Sequence, residues 1–242
     1  MNCLGLIMAG GRSSRMRAGG CATHKALRSV SGVTLLEHNI ARLCQSGIKE
    51  LWLAVSSSEV ELRTWAESYG ASITATFGGT IRMVREEDPL GTIGAVRCVP
   101  ACRGNVLVVN VDNLCDLDLR ALVQYHIHVD AALTVATHDA FFRIPFGQVI
   151  AQNGRILAYR EKPQLPVTIS SGIYLLSRRA IEQIPPNRRT DVPELVNWLV
   201  DIGESVACFQ HSAPWIDVND ENALAEAELF FGPKAECRAA GT

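Results

Sequence analysis

The stretch Cys3-Leu-Gly-Leu-Ile-Met-Ala-Gly-Gly-Arg-Ser-Ser-Arg-Met16 joins a short apolar run to a glycine- and arginine-rich exit. An apolar run without alternation, ended by Gly-Gly, reads as a strand buried on both faces. Residues 10–33, rich in Gly, Ser and Arg, read as the loop that leaves it. Thr34-Leu-Leu-Glu37 has the spacing of a capping box and opens a helix with Leu36, Ile40, Leu43 and Cys44 on one face, stopping near Gly47. Glu50 to Val55 reads as a second strand, and Ser58-Glu-Val-Glu61 as a second capping box for a helix to about Tyr69. Strands are expected near 72–76 and 81–84, then a helix from about Gly91. Asn105 to Val111, NVLVVNV, is the strongest buried-strand signal. A helix near 118–128 and a strand near 131–137 follow. Pro145 to Ala151, Arg155 to Glu161 and Thr168 to Leu176 read as antiparallel strands, with Asn153-Gly154 as a hairpin turn between the first two. Helices near 191–202 and 220–230 bracket a strand at 205–210. Strand–helix alternation with a late β-rich insertion predicts one α/β domain around a mainly parallel sheet.

Composition agrees. At 242 residues the chain is one large domain or two small ones. It is 48% hydrophobic and 20% charged, with a mean hydropathy of +0.11, which excludes a disordered class. A net charge of −2 argues against nucleic-acid binding by bulk charge. No apolar run approaches the ~18 residues of a membrane span, and no cationic leader precedes the first strand, so a cytoplasmic protein is expected. The cysteines, none in C-x-x-C spacing, read as free thiols, with Cys98 and Cys102 as two small residues on one helix. His126 and His128, two apart, cannot share a helix face and make poor metal ligands.

Four places carry chemistry. In the loop from Ala9, Gly10 and Gly11 through Arg12, Ser13, Ser14 and Arg15, glycines let backbone N–H groups approach a phosphate. From Met1 to Leu36 there is no acidic residue, yet Arg12, Arg15, Arg17, Lys25 and Arg28 are present. That imbalance reads as a polyanion site or as a solvated basic face. Asp112 ends the NVLVVNV strand, where ligands sit in open α/β sheets, and suits a hard divalent cation or a simple turn. Asp217 is a lone acid in the apolar stretch Pro214-Trp-Ile-Asp-Val218, open to a metal role or to the capping region of the last helix. Lys162, in Glu161-Lys162-Pro163 at a strand end, reaches either solvent or a substrate phosphate.

With these residues in view, the chain resembles the sugar-1-phosphate nucleotidyltransferases, over nearly its whole length and in the family's motif order. The family's L-A-G-G-x-G-T-R-L loop stands here as Met8 to Met16, and its downstream Lys as Lys25. E-x-P-L-G-T-x-G-A stands as Glu87-Asp-Pro89-Leu-Gly91-Thr92-Ile-Gly-Ala95, and the strand-ending Asp as Asp112. The aromatic-Gly pair is Phe146-Gly147, E-K-P is Glu161-Lys162-Pro163, S-x-G-x-Y is Ser170-Ser171-Gly172-Ile-Tyr174, and W-x-D is Trp215-Ile-Asp217. Ser13 and Ser14 replace the family's Gly and Thr, and Ala26 replaces its Pro. The resemblance implies a Rossmann-like three-layer fold with a small β-rich sugar-binding insertion. Residues 1–112 would be mainly the nucleotide half and 113–242 mainly the sugar-phosphate half.

It also implies a reaction: an NTP and a sugar 1-phosphate give an NDP-sugar and pyrophosphate. A phosphate monoester's second pKa is about 6, so the nucleophile is already ionised and no general base is required. What remains is to align two polyanions and neutralise the leaving pyrophosphate. The resemblance assigns Arg15 and Lys25 to the triphosphate as catalytic cations. It places Ala9 to Ser14 with Glu87, Pro89, Gly91 and Thr92 on the nucleotide. It puts Gly147, Glu161, Lys162, Ser171 and Gly172 on the sugar phosphate, and Asp112 and Asp217 on Mg²⁺. The short P-L-G-T-x-G-A form leans toward guanylyl transfer among guanylyl, uridylyl and cytidylyl members. The rivals are a cytidylyl- or guanylyltransferase acting on phosphocholine-like alcohol phosphates or on molybdopterin, and a non-catalytic sugar-nucleotide-binding paralogue. A membrane or nucleic-acid partner is not expected; a homo-oligomer is left open.

Overall fold

Strand β1 (Cys3–Met8) lies near the middle of a seven-stranded sheet. The computed structural model describes residues 3–10, 23–99 and 104–231. After a 3-10 turn (Lys25–Leu27) come β2 (Ser29–Val30), β3 (Val33–Thr34), α1 (Leu35–Gln45) and β4 (Glu50–Ser56). Then follow α2 (Val60–Trp65), a π-helical turn (Ala66–Gly70), α3 (Ala71–Thr76), β5 (Thr80–Glu86), a 3-10 turn (Gly94–Cys98) and β6 (Asn105–Asn110). The second half holds β7 (Asn113–Cys115), α4 (Leu119–His128), β8 (Leu133–Arg143), β9 (Gln148–Gln152), β10 (Arg155–Arg160) and β11 (Gln164–Leu176). It ends with α5 (Arg178–Glu182), α6 (Val192–Asp201), β12 (Val206–Gln210), β13 (Trp215–Asp217) and α7 (Glu221–Phe231).

The sheet runs β12-β8-β11-β6-β1-β4-β5. β1 is parallel to β4 and β6, β4 to β5, and β12 to β8, while β11 is antiparallel to both neighbours. The expected mainly parallel α/β sheet is therefore present. Successive residues of β1 and β6 feed opposite faces: Ile7, Leu107 and Val109 join one core with Leu36, Ile40, Leu43 and Leu122. Leu6, Val106 and Val108 join the other with Ile181, Leu195 and Leu199. Helices on both faces make three layers, which is why these strands are apolar without alternation. A third cluster, Val30, Leu35, Leu114, Ile216, Val218 and Ala227, docks α7 beside the β7–β13 pair. No helix among the described residues is long and apolar enough to cross a membrane. Cys44, Cys98, Cys115 and Cys208 are free thiols; Cys102 lies outside the described residues.

The Thr34–Glu37 capping box is present in full. Ser58–Glu61 is not one. Glu59 occupies the cap position but its side chain does not cap the helix, the Ser58 hydroxyl pairs with Ser56, and Glu61 accepts the His24 N–H at 2.9 Å. The strand expected at 72–76 is helix α3, reached from α2 through the π-helical turn, with the Thr74 hydroxyl bonded back to the Gly70 carbonyl. From Gly91 the described chain forms only the 3-10 turn Gly94–Cys98 in place of a longer helix. Asn153 and Gly154 both take positive φ, +52° and +76°, at the β9–β10 hairpin, as a two-residue turn of that type requires.

Candidate active site

The carboxyl ends of β1, β5 and β6 open onto a cavity of about 520 Å³, the position where parallel sheets hold ligands. Met8 and Gly10 come from β1 and its exit, Glu86 from β5, and Asn110 and Asp112 from β6 and the residue pair after it. Lys25 closes one side; Pro89, Gly91, Thr92, Arg189 and Asp191 close another.

Lys25 forms an ion pair with Asp112, both largely shielded from solvent. The lysine is placed by a short 3-10 turn whose His24 ring accepts the Ala26 N–H at 3.1 Å. Asp217 is brought alongside by strand pairing: it is opposite Asn113, and the Val218 N–H donates to the Asp112 carbonyl at 2.9 Å. Two carboxylates on adjacent, hydrogen-bonded backbone stretches are hard oxygen donors of the kind that suit Mg²⁺, which uses one or two protein carboxylates and takes its other ligands from phosphate and water. A full cage of three or more protein ligands is absent among the described residues.

Glu86 is 3% exposed. Its Oε2 accepts the Leu90 N–H at 3.0 Å, while Oε1 is buried and has no hydrogen-bond partner among the described residues. Burial pushes its carboxyl above the usual range, against the Leu90 hydrogen bond. Gly10 lies so close that a Cβ there would meet Oε1 at 2.7 Å. Across the cavity the Thr92 N–H donates to Asp191 Oδ1 and the Val192 N–H to Thr92 Oγ1, both at 2.9 Å. Burial alone would raise Asp191; the Thr92 N–H and the Arg189 guanidinium outweigh it and hold the carboxyl below its usual range.

A second cavity, of about 660 Å³, is lined by His138, Asp139, Gln210, His211 and Trp215. Trp215 and Asp217, two apart on β13, point to the same side of that strand. Ser171 lies beneath this cavity, fully buried. Its hydroxyl sits 2.9 Å from His138 Nδ1 and 2.8 Å from His211 Nε2. Its carbonyl accepts from Trp215 Nε1 at 2.8 Å and from Asn113 Nδ2 at 2.9 Å. One hydroxyl donates once, so one imidazole accepts from Ser171 and the other donates to it. Burial holds both rings below the usual histidine range, and for His211 the neighbouring His138 and Arg42 add to the effect. Gly172 takes φ +69° with the Asn113 amide packed where a Cβ would be, so only glycine serves there.

The structure thus brings Gly10, Lys25, Pro89, Gly91, Thr92 and Asp112 together, with Asp217 on the adjoining strand pair. Ala9 is buried and tied by its N–H to Ala54, and Glu87 points to solvent beside Glu86. Gly11, Arg12, Ser13, Ser14 and Arg15 lie outside the described residues. Gly147, packed against the Tyr159 hydroxyl, and the exposed Glu161 and Lys162 line neither cavity. Lys162, at φ +43°, precedes the segment where Gln164 pairs with Arg143 and Ser170 with Thr137. At ~3.4 Å per residue that is roughly 20 Å of strand between Gln164 and Ser170. Sequence reasoning missed Glu86, Asn110, Arg189 and Asp191. Period-2 alternation could have found the first, since Val84 and Glu86 face in while Arg85 and Glu87 face out.

The chain resembles known proteins throughout. It is 26% identical over 220 residues to the mannose-1-phosphate guanylyltransferase catalytic subunit beta of Dictyostelium discoideum, covering 88% of this chain and 60% of that one. It is 28% identical over 192 residues to the mannose-1-phosphate guanylyltransferase of Mycobacterium tuberculosis, covering 77% and 52%. The chain therefore spans between half and two thirds of the length of these relatives. Among solved structures, HddC from Yersinia pseudotuberculosis complexed with GMP-PN superimposes with a TM-score of 0.71 at 20% identity, over 96% of this chain and all of that one. A Bacillus anthracis chain solved with a sucrose gives 0.73 at 21% identity, over 95% of both. These neighbours share the fold. The profile of the nucleotidyl transferase family matches residues 4–232, so the crevice at the ends of β1, β5 and β6 belongs to a member of that family.

Proposed function

We propose that this chain transfers a nucleotidyl group from an NTP, preferentially GTP, to a sugar 1-phosphate. An oxygen of the sugar phosphate attacks the α-phosphorus; the Pα–O–Pβ bond breaks and pyrophosphate leaves with that electron pair. The observation that carries this reading is the Lys25–Asp112 pair at the strand ends, with Asp217 beside it through the β7–β13 pairing. Lys25 is a point charge for the triphosphate. Asp112 and Asp217 would hold Mg²⁺, which when bound neutralises charge on the phosphates. Glu86 supports guanine. Its unpartnered oxygen can accept from an exocyclic amino or ring N–H group, and guanine offers two such donors side by side. Uracil and thymine offer one, flanked by carbonyls that a carboxylate repels. The relatives' names, mannose-1-phosphate guanylyltransferase, agree with this base and suggest mannose 1-phosphate as the first acceptor to try. For the acceptor's hydroxyls, the cavity under Trp215 offers Asp139, Gln210 and the two histidines.

The test is pyrophosphate release from each of four NTPs against a panel of sugar 1-phosphates, with phosphocholine included. GTP with mannose 1-phosphate is expected to lead, EDTA to abolish turnover and Mg²⁺ to restore it. Asp217→Asn is expected to lower kcat ~100-fold, since the charge acts mainly in the transition state. Turnover with phosphocholine alone would overturn the acceptor, and nucleotide binding without turnover on any pair would overturn the enzyme reading.

A further inference from the structure

Ser171 and Gly172 interrupt the long strand β11. Its pairing with β8 breaks between Ser170 and Tyr174, and its pairing with β6 begins only at Ile173. Such bulges re-aim groups beside active sites. Gly172, at φ +69°, makes the turn, and the Asn113 amide fills the space a side chain would need. The Ser170 hydroxyl braces it, accepting the Gly172 N–H at 3.2 Å and donating to Tyr174 Oη at 3.0 Å. The Ser171 carbonyl thereby accepts two donors from β13 and β7, outside the seven-stranded sheet: Trp215 Nε1 at 2.8 Å and Asn113 Nδ2 at 2.9 Å. Both donors are chain neighbours of the candidate metal acids. Asn113 follows Asp112 and stands opposite Asp217, and Trp215 is two residues before Asp217. The β7–β13 pairing is only three residues long, and a two-stranded pairing is marginal by itself. A common acceptor for both strands adds an independent fix.

We propose that Ser171 is a positioning residue for the divalent-cation site: its carbonyl, locked by the His138–Ser171–His211 hydrogen bonds, sets the spacing of the strands that carry Asp112 and Asp217. The proposal rests on the reading of those two acids as the Mg²⁺ carboxylates. The carbonyl is a fixed point because the residue is fully buried and its hydroxyl is held between two imidazoles, 2.9 Å from His138 Nδ1 and 2.8 Å from His211 Nε2. The His138 ring also packs on Trp215, with centroids 4.3 Å apart, so one cluster holds both the acceptor and one of its donors. A role confined to the core accounts for the two imidazoles but not for both carbonyl donors being neighbours of the acids. Mg²⁺ is sensitive to such spacing because it demands near-ideal octahedral geometry at short distances. Groups that orient a metal's ligands typically account for ~10–100-fold in affinity.

The experiment titrates Mn²⁺ alone into the full chain, with binding read from the EPR signal of the free ion. Trp215→Phe keeps an aromatic ring and removes one N–H from the carbonyl. Ser171→Ala keeps the carbonyl and removes its anchor. Each should weaken Mn²⁺ binding ~10-fold, and the kcat of each should recover as Mg²⁺ is raised, which a damaged fold would not allow. His138→Ala should act likewise, while His138→Asn, which places an amide near the Nδ1 position, should restore most of the affinity. Asp217→Asn is the reference. If it loses Mn²⁺ while Trp215→Phe and Ser171→Ala bind as the wild type does, the positioning role is overturned and the metal assignment stands. If Asp217→Asn itself binds Mn²⁺ as the wild type does, the metal assignment fails and takes the proposal with it. Should Ser171→Ala not fold, Trp215→Phe and the two His138 variants decide by the same criteria.

Discussion

Glu86 shows how one residue holds stability and specificity in opposition. Its carboxyl titrates above the usual range because burial penalises the charge. A group whose folded pKa is raised stabilises only at low pH, and that contribution is lost as pH rises through the folded value. Glu86→Gln keeps an acceptor for the Leu90 N–H and removes the buried charge. The variant should therefore be at least as stable as the wild type at pH 7, with the advantage vanishing below the ordinary carboxylate range, as urea titrations at several pH values will show. Its kcat/KM with GTP should fall ~10–100-fold, the cost of one charge-assisted hydrogen bond. Motif reading fell on Glu87, which is the acid in register with Pro89 and Gly91; burial distinguishes the two, and burial follows strand phase. Lys25 and Asp112 were legible because a charge imbalance and a strand end mark them. Asp191 was not, because its role depends on a loop that meets Thr92 from a hundred residues away.

At the scale of elements, the segment from Pro89 to Thr92 is a wall fastened to the start of α6. Gly91 has φ +82°, and a Cβ there would come within 2.5 Å of the Thr190 carbonyl. Gly91→Ala should destabilise the protein by ~1–3 kcal/mol through strain and displaced backbone. It should also raise KM for the NTP more than KM for the sugar phosphate; equal effects on both would show that the wall does not serve the nucleotide. Elements set by local signals read correctly from sequence: the Thr34–Glu37 box closes on itself within one turn. The Ser58–Glu61 pattern has the same letters, but Glu61 is drawn to His24 and Ser58 to Ser56, competitors that one helical turn cannot reveal. Residues 72–76 read as strand from the sequence. Tertiary context made them helix, with Thr74 wholly buried and its hydroxyl satisfied within the helix.

For the whole molecule, pH stability rests in part on His126, which is 2% exposed with Nδ1 2.8 Å from the Thr134 hydroxyl. Burial, then the Arg179 charge, lowers its pKa to about 4, with Asp130 opposing. A depressed pKa contributes stability that is present above the unfolded value of 6.5 and lost as pH falls to about 4. The loss should be roughly 3 kcal/mol at full extent. His126→Gln should flatten the stability curve between pH 6.5 and 4 in chemical denaturation; an unchanged slope would place the acid sensitivity elsewhere.

Strand β1 has β4 on one side and β6 on the other, in register from Cys3 opposite Asn105 to Met8 opposite Asn110. Strand β1 is thus completed by a strand made about a hundred residues later. At ~5–20 residues per second of synthesis, β1 waits roughly 5–20 s with one flank bare. During that interval its apolar run is an exposed adhesive edge on the ribosome. The chain's yield in the cell then depends on translation speed between Ser56 and Asn105 as much as on the stability of the finished fold.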